Sequence, residues 1–141
     1  MNEKCNLRLD LINCKISYIL TCLTSYASLD LSKRIYDINQ KIFLIKKSLI
    51  DQKEYVDIRN VIELRDQLKE IIKRVENDNE VFLSGHKIAC LLFEASIEIK
   101  LFNNEFEILN DFKEYLLLAS QYLYYCARVV NIELLCYENK I

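Results

Sequence analysis

The feature that most constrains this chain is what it lacks: its 141 residues include one glycine, Gly85, and no proline. Hairpin turns and the tight turns of α/β units rely on residues that accept unusual backbone angles, so neither architecture has its punctuation here. Helices need neither residue, and the apolar pattern is helical. Cys5, Leu9, Ile12, Ile16, Ile19 and Leu23 recur at alternating steps of four and three. So do Leu31, Ile35, Ile38, Ile42, Ile45 and Leu49, then Val61, Leu64, Leu68, Ile71 and Val75, then Ile88, Leu92, Ala95, Ile99 and Phe102. Each row places one stripe along a helix, and a stripe must be buried against other helices. The pattern predicts an all-α, single-domain bundle of about five helices spanning residues 1–141.

With glycine and proline missing, polar residues must mark the helix ends. Ser28 and Asp30 are expected to cap the second helix, and Asp57 the third. The stretches "DQKEYVD", "ENDNE" and "NNEFE" separate successive helices, and the last helix is expected from about Glu105 to Tyr137. The fourth, "IACLLFEASIEIKLF", offers only Glu94, Ser96, Glu98 and Lys100 as polar interruptions, so it is expected to be buried and central. Tyr115, Tyr122, Tyr124 and Tyr125 wind around the last helix and belong at the core edge, where a phenol finds a partner.

Composition closes off several functions. Apolar residues at 52% and charged residues at 28% describe a globular chain. A net charge of −2 with both signs interspersed gives no footprint for nucleic acid. Lys41, Lys46, Lys47, Lys53 and Arg59 are diluted by Asp37, Asp51, Glu54 and Asp57. No segment approaches about twenty clean apolar residues, so no transmembrane segment is expected. Cys5, Cys14, Cys22, Cys90, Cys126 and Cys136 form no Cys-x-x-Cys pair, and the N-terminus "MNEKCNLRLD" has no secretory signal. Reduced, mostly buried thiols in the cytoplasm are therefore expected, with no metal and no cofactor.

No catalytic constellation emerges. His86 beside Gly85 reads as a helix junction, with a neutral imidazole at the positive end of the fourth helix. Glu94 with Glu98, and Glu105, Glu107, Asp111 and Glu114, lack the histidine partner that di-iron bundles use. A glycine-rich phosphate loop cannot be built from one glycine. What remains is a non-enzymatic protein-interaction module.

One stretch carries a resemblance. The amphipathic "VIELRDQLKEIIKRV" ends in "ENDNE" and is followed by "SGHKIACLLFEASIEIK", with a basic residue, Lys87, before an apolar helix containing Ala and Ser. This arrangement resembles the central hairpin of virus-encoded, poxvirus-type Bcl-like proteins, although their Asn-Trp pair is absent. The resemblance implies inhibition of host apoptosis or innate signalling in the host cytosol. It implies a groove lined by Ile42, Ile45, Val61, Leu64, Leu68 and Leu92, in which Lys87 meets the aspartate of a BH-three-like helix or signalling adaptor. The tail anchor usual in such proteins is not expected in this chain. The alternative is a homo-oligomeric adaptor or assembly subunit, a homodimer in the simplest case. A small nucleic-acid-binding or metal-dependent helical protein comes third.

Overall fold

The computed structural model describes residues 2–75, 81 and 83–134. It is an all-α bundle of α1 (Glu3–Leu23), α2 (Ser32–Asp51), α3 (Ile58–Ile72), α4 (Lys87–Glu105) and α5 (Asn110–Glu133), with a 3-10 segment at Thr24–Leu29 after α1. Cross-helix bonds fix the directions. Asp10 meets Lys46 and Asn13 meets Asn39, so α1 and α2 are antiparallel. Lys4 meets Glu105 while Lys15 meets Glu98, so α1 and α4 are antiparallel too. Arg65 meets Glu114 and Arg74 meets Glu133, so α3 and α5 run the same way. α1 packs between α2 and α4, and α5 between α4 and α3. One end, called upper here, therefore gathers the ends of α1, α3 and α5 and the starts of α2 and α4.

Polar caps set the boundaries. Asn2 accepts from the amides of Lys4 and Cys5 at the start of α1. Asp57 and Asn60 form a reciprocal capping box on α3, as its sequence position suggests. α2 departs from expectation: its N-cap is Leu31 without a side-chain bond, and Ser28 falls inside the 3-10 segment. Asp30 closes that segment in the left-handed region at φ 54° instead of capping α2. α2 ends at Gln52, also left-handed at φ 57°. α4 runs through Glu105, and the last helix starts only at Asn110. "ENDNE" (76–80) and residues 135–137 lie outside the described residues.

The stripes of the first three helices bury themselves nearly as read. Cys5, Leu9, Ile12, Ile16, Ile19 and Leu23 are buried on α1, and Ile35, Ile38, Ile42 and Ile45 on α2. Val61, Leu64, Leu68 and Ile71 follow on α3. The apolar α4 buries eight side chains but keeps Cys90, Glu94, Ile97, Lys100 and Leu101 on an exposed face. The most enclosed helix is α5, with fourteen of its twenty-four residues buried, Arg128 and Asn131 among them. Tyr115 and Tyr122 lie inside the core, and burial pushes both phenols well above the ordinary tyrosine range. Tyr124 and Tyr125 sit at its edge in a T-shaped pair, 5.2 Å between centroids.

Of the cysteines among the described residues, Cys5 and Cys126 are buried, Cys22 is half-buried, and Cys14 and Cys90 are exposed. Burial raises the Cys126 thiol far above the usual range, which suppresses the reactive thiolate. In dilute native protein a maleimide should therefore modify Cys90 and spare Cys126 until denaturant is added. Peptide mapping by mass spectrometry checks this; equal labelling of the two would contradict the packing of α5.

Candidate functional site

Among the described residues, the upper end holds two of the three positive-φ residues, Asp30 and Gly85, together with the buried Asn131. Gly85 adopts φ 111°, a conformation that side-chain-bearing residues rarely take. A Cβ there would also overlap the carboxamide of Asn131, which packs against the glycine. Asn131 is fully buried in α5, and its amide donates to the Ser84 carbonyl at 2.8 Å. Its Oδ1 accepts from the His86 backbone N–H, also at 2.8 Å. One α5 side chain therefore staples the segment that launches α4.

His86 is the N-cap of α4. Its Nδ1 accepts from the Ile88 amide at 3.1 Å, which leaves Nε2 to face outward from the helix start. Nε2 lies 3.5 Å from the Tyr26 hydroxyl, and the two rings meet edge to face at 5.5 Å. Arg74 reaches across from the end of α3 to the Leu29 carbonyl and the Glu133 carboxylate, 2.9 and 2.8 Å away. Arg34, Arg74 and Asp30 all act on the Tyr122 phenol, which places these charges around the same end. Lys87, on the first turn of α4, is exposed. The arrangement can do two things: fix the 83–87 segment rigidly, and present cations beside the positive ends of α2 and α4.

The residues expected to line a groove are placed otherwise. Ile42, Ile45, Val61 and Leu92 have no exposed surface, and Leu64 and Leu68 are 2% and 9% exposed. They are spread over α2, α3 and α4 as interior packing, so in this closed bundle they line no open groove for a helix. Lys87 stands apart from them at the upper end. Five of the six carboxylates considered for metal chemistry hold cations: Glu94 and Glu98 share Lys15, Glu105 takes Lys4 and Arg8, Glu107 takes Lys113, and Glu114 takes Arg65. Among the described residues no group of three His, Cys, Asp or Glu is placed to hold a metal ion, and no helix is long and apolar enough to cross a membrane. Sequence reasoning missed Asn131, Tyr26 and Arg74. The one available signal was the lone glycine, which in a chain so poor in glycine marks a place where nothing larger fits.

No protein-family model matches the chain, and no curated protein matches it in sequence. Solved structures do match. A variant PduO-type ATP:corrinoid adenosyltransferase from Lactobacillus reuteri, complexed with cobalamin and ATP, superposes with a TM-score of 0.83 at 16% identity, covering 97% of this chain and 81% of that one. A second variant, complexed with ATP, gives a TM-score of 0.83 at 18% identity, with coverage of 98% and 85%. A third, with cobalamin and ATP, gives 0.80 at 17%, with coverage of 97% and 83%. This likeness overturns the resemblance to viral Bcl-like proteins. The apoptotic role and the host-helix partner it implied fall with it, and the same likeness to enzymes runs against the separate reading of a non-enzymatic interaction module or adaptor. The physical reason is that a basic residue before an Ala/Ser-containing apolar helix suits any helix packed closely against another, and α4 is one.

The staple yields a testable coupling. Gly85→Ala forces a side chain into a left-handed conformation and onto Asn131, and should cost about 1–3 kcal/mol of stability. Asn131→Ala strands the groups around Ser84 and His86 and should cost a similar amount, about 1–3 kcal/mol. Together they should cost clearly less than the sum, because the overlap disappears with the carboxamide. Urea unfolding of the four proteins measures this; strict additivity would mean that Asn131 does not hold the Gly85 segment. The chain has the five-helix fold seen in these adenosyltransferase structures.

Proposed function

We propose that the chain is an enzyme of ATP:corrinoid adenosyl transfer, binding ATP and a reduced corrinoid and joining the adenosyl group to cobalt. The observation that carries this is the fold likeness over 97–98% of the chain to structures described as holding ATP, two of them with cobalamin as well. In the reaction, the cobalt of the reduced corrinoid supplies an electron pair to C5′ of ATP. The cobalt–carbon bond forms as the C5′–O bond breaks, and triphosphate leaves.

The upper end is the part of this chain suited to the polyphosphate. Lys33 and Arg34 on the first turn of α2 and Lys87 on that of α4 are exposed cations beside two helix N-termini. Phosphate oxygens accept well from such groups, and lysine and arginine are the usual side-chain donors to them. The start of α4 is already capped by His86, and one glycine makes no phosphate-cradling loop. The polyphosphate would therefore be met mainly by side chains. This distinguishes the reading from a glycine-rich nucleotide site and names the residues to change.

The purified chain is mixed with ATP and chemically reduced cobalamin, and formation of the cobalt–carbon bond is followed by its visible absorbance. Adenosylcobalamin should form, and Lys87→Ala and Arg34→Ala should each weaken ATP use by about tenfold, the effect of losing one charge-assisted bond of roughly 1.5 kcal/mol. Calorimetric titration with ATP gives the independent readout. Failure to bind ATP at millimolar concentration together with no adenosylcobalamin would overturn the proposal.

A further inference from the structure

The lower end gathers the starts of α1 and α5 and the ends of α2 and α4, and two clefts open there. Each has a volume of about 430 Å³, within the range of roughly 300–1,000 Å³ usual for small-molecule sites. One lies towards the start of α1 and is walled by Cys5, Ile50, Phe106 and Ile108. The other lies towards the start of α5 and is walled by Leu109 and Phe112. Leu49 and Gln52, at the end of α2, belong to both, so the clefts meet at these two side chains. Cys5, Phe106 and Phe112 are buried, whereas Ile50 and Leu109 are 52% and 54% exposed, one at each cleft. Each cleft thus pairs a closed apolar wall with an apolar lip that a bound group would cover.

Most polar groups around the junction are already committed. Ser48 Oγ donates to the Leu44 carbonyl at 2.7 Å and accepts from the Tyr55 amide at 3.0 Å. Asn2 Oδ1 caps α1. Lys4 and Arg8 answer Glu105, and Lys113 answers Glu107. The second cleft carries one charge of each sign, Lys53 and Glu54. An ionic ligand would find no surplus counter-charge here, so a neutral one fits. Gln52 is different. None of the described residues hydrogen-bonds its carboxamide, although its backbone is held at φ 57°. A carboxamide offers a donor and an acceptor on one edge, which is the complement of a cis amide such as that of a lactam ring.

We propose that the lower end binds a small neutral lactam carrying two apolar groups, with its ring amide paired edge to edge with the Gln52 carboxamide and one apolar group in each cleft. Gln52 Nε2 donates to the ring carbonyl, and Oε1 accepts from the ring N–H. The site lies at the opposite end from the cations proposed to meet ATP, and the inference does not require the adenosyltransferase reading.

Calorimetric titration of the full chain with cyclo(Leu-Phe), a cyclic dipeptide of this class, tests the site against its N,N′-dimethyl form, whose ring amides cannot donate. The parent compound should bind one to one, and the dimethyl form about tenfold more weakly or worse. Gln52→Gly should also lose about tenfold, since both bonds go. Glycine suits that backbone, so this variant keeps its helical circular dichroism and the loss cannot be assigned to unfolding. Ile50→Ser and Leu109→Ser should each cost about fivefold, one from each cleft. In proton–nitrogen correlation spectra the Gln52 side-chain amide should shift with the parent compound. No binding of the parent at millimolar concentration would overturn the proposal. So would equal binding of the two compounds, or binding that Gln52→Gly leaves unchanged.

Discussion

The close approach of α4 and α5 is the constraint on which the rest of the bundle depends. Ser96 Oγ donates to the Ser120 carbonyl at 2.7 Å in a fully buried bond, and both residues are small enough to bring the two backbones together. Ala89 and Ala95 on α4 and Ala119 and Ala127 on α5 keep the rest of both helices slim. A buried hydroxyl must find a partner, so this bond also fixes the register between the helices. Asn103 donating to the Lys113 carbonyl ties the far end of the same pair. With α5 set in place, α1 packs on α4 and α3 on α5, and α2 closes over α1.

Much of this could be read from the sequence, for a physical reason. Each of the first three helices has one buried face, and a single stripe of period 3.6 reports one buried face faithfully. The rows ending in Leu23, Leu49 and Val75 are therefore the observed core, except that Leu49 and Val75 at the ends of the last two are only partly buried. α5 is enclosed on nearly all sides, so its period is blurred, and Arg128 and Asn131 look like surface residues although both are buried. Whether a polar residue is buried depends on partners far along the chain. Asn131 meets Ser84 and His86 more than forty residues away, and no local pattern encodes that. The Bcl-like resemblance failed for a related reason: it rested on the residues that make a helix packable, which are common to many folds. The short polar caps had mixed outcomes. Asp57 has a complete reciprocal box and was legible, whereas the turn before α2 is made by backbone geometry at Asp30, with no side-chain bond to announce it.

The molecule divides its surfaces. The upper end concentrates Gly85, Asn131, His86 and the cations of α2, α3 and α4, whereas the α2–α1–α4 face concentrates exposed apolar side chains and ion pairs. α4 belongs to both, with its first turn at one and Ile97 and Leu101 at the other. Exposed ion pairs contribute little to stability, typically below about 1 kcal/mol.

Gln52 shows a cost the chain has left in place. Its backbone sits where glycine is the natural choice for ending a helix, yet its side chain lines two clefts at the lower end, with Leu49 beside it in both. Backbone preference and side-chain occupancy disagree at this position, and occupancy has prevailed. The bundle therefore holds an unused margin of roughly 1 kcal/mol that a glycine would release, at the end farthest from Gly85 and His86. A more heat-tolerant form of this chain is one residue away, and reaching it would leave the upper end unaltered.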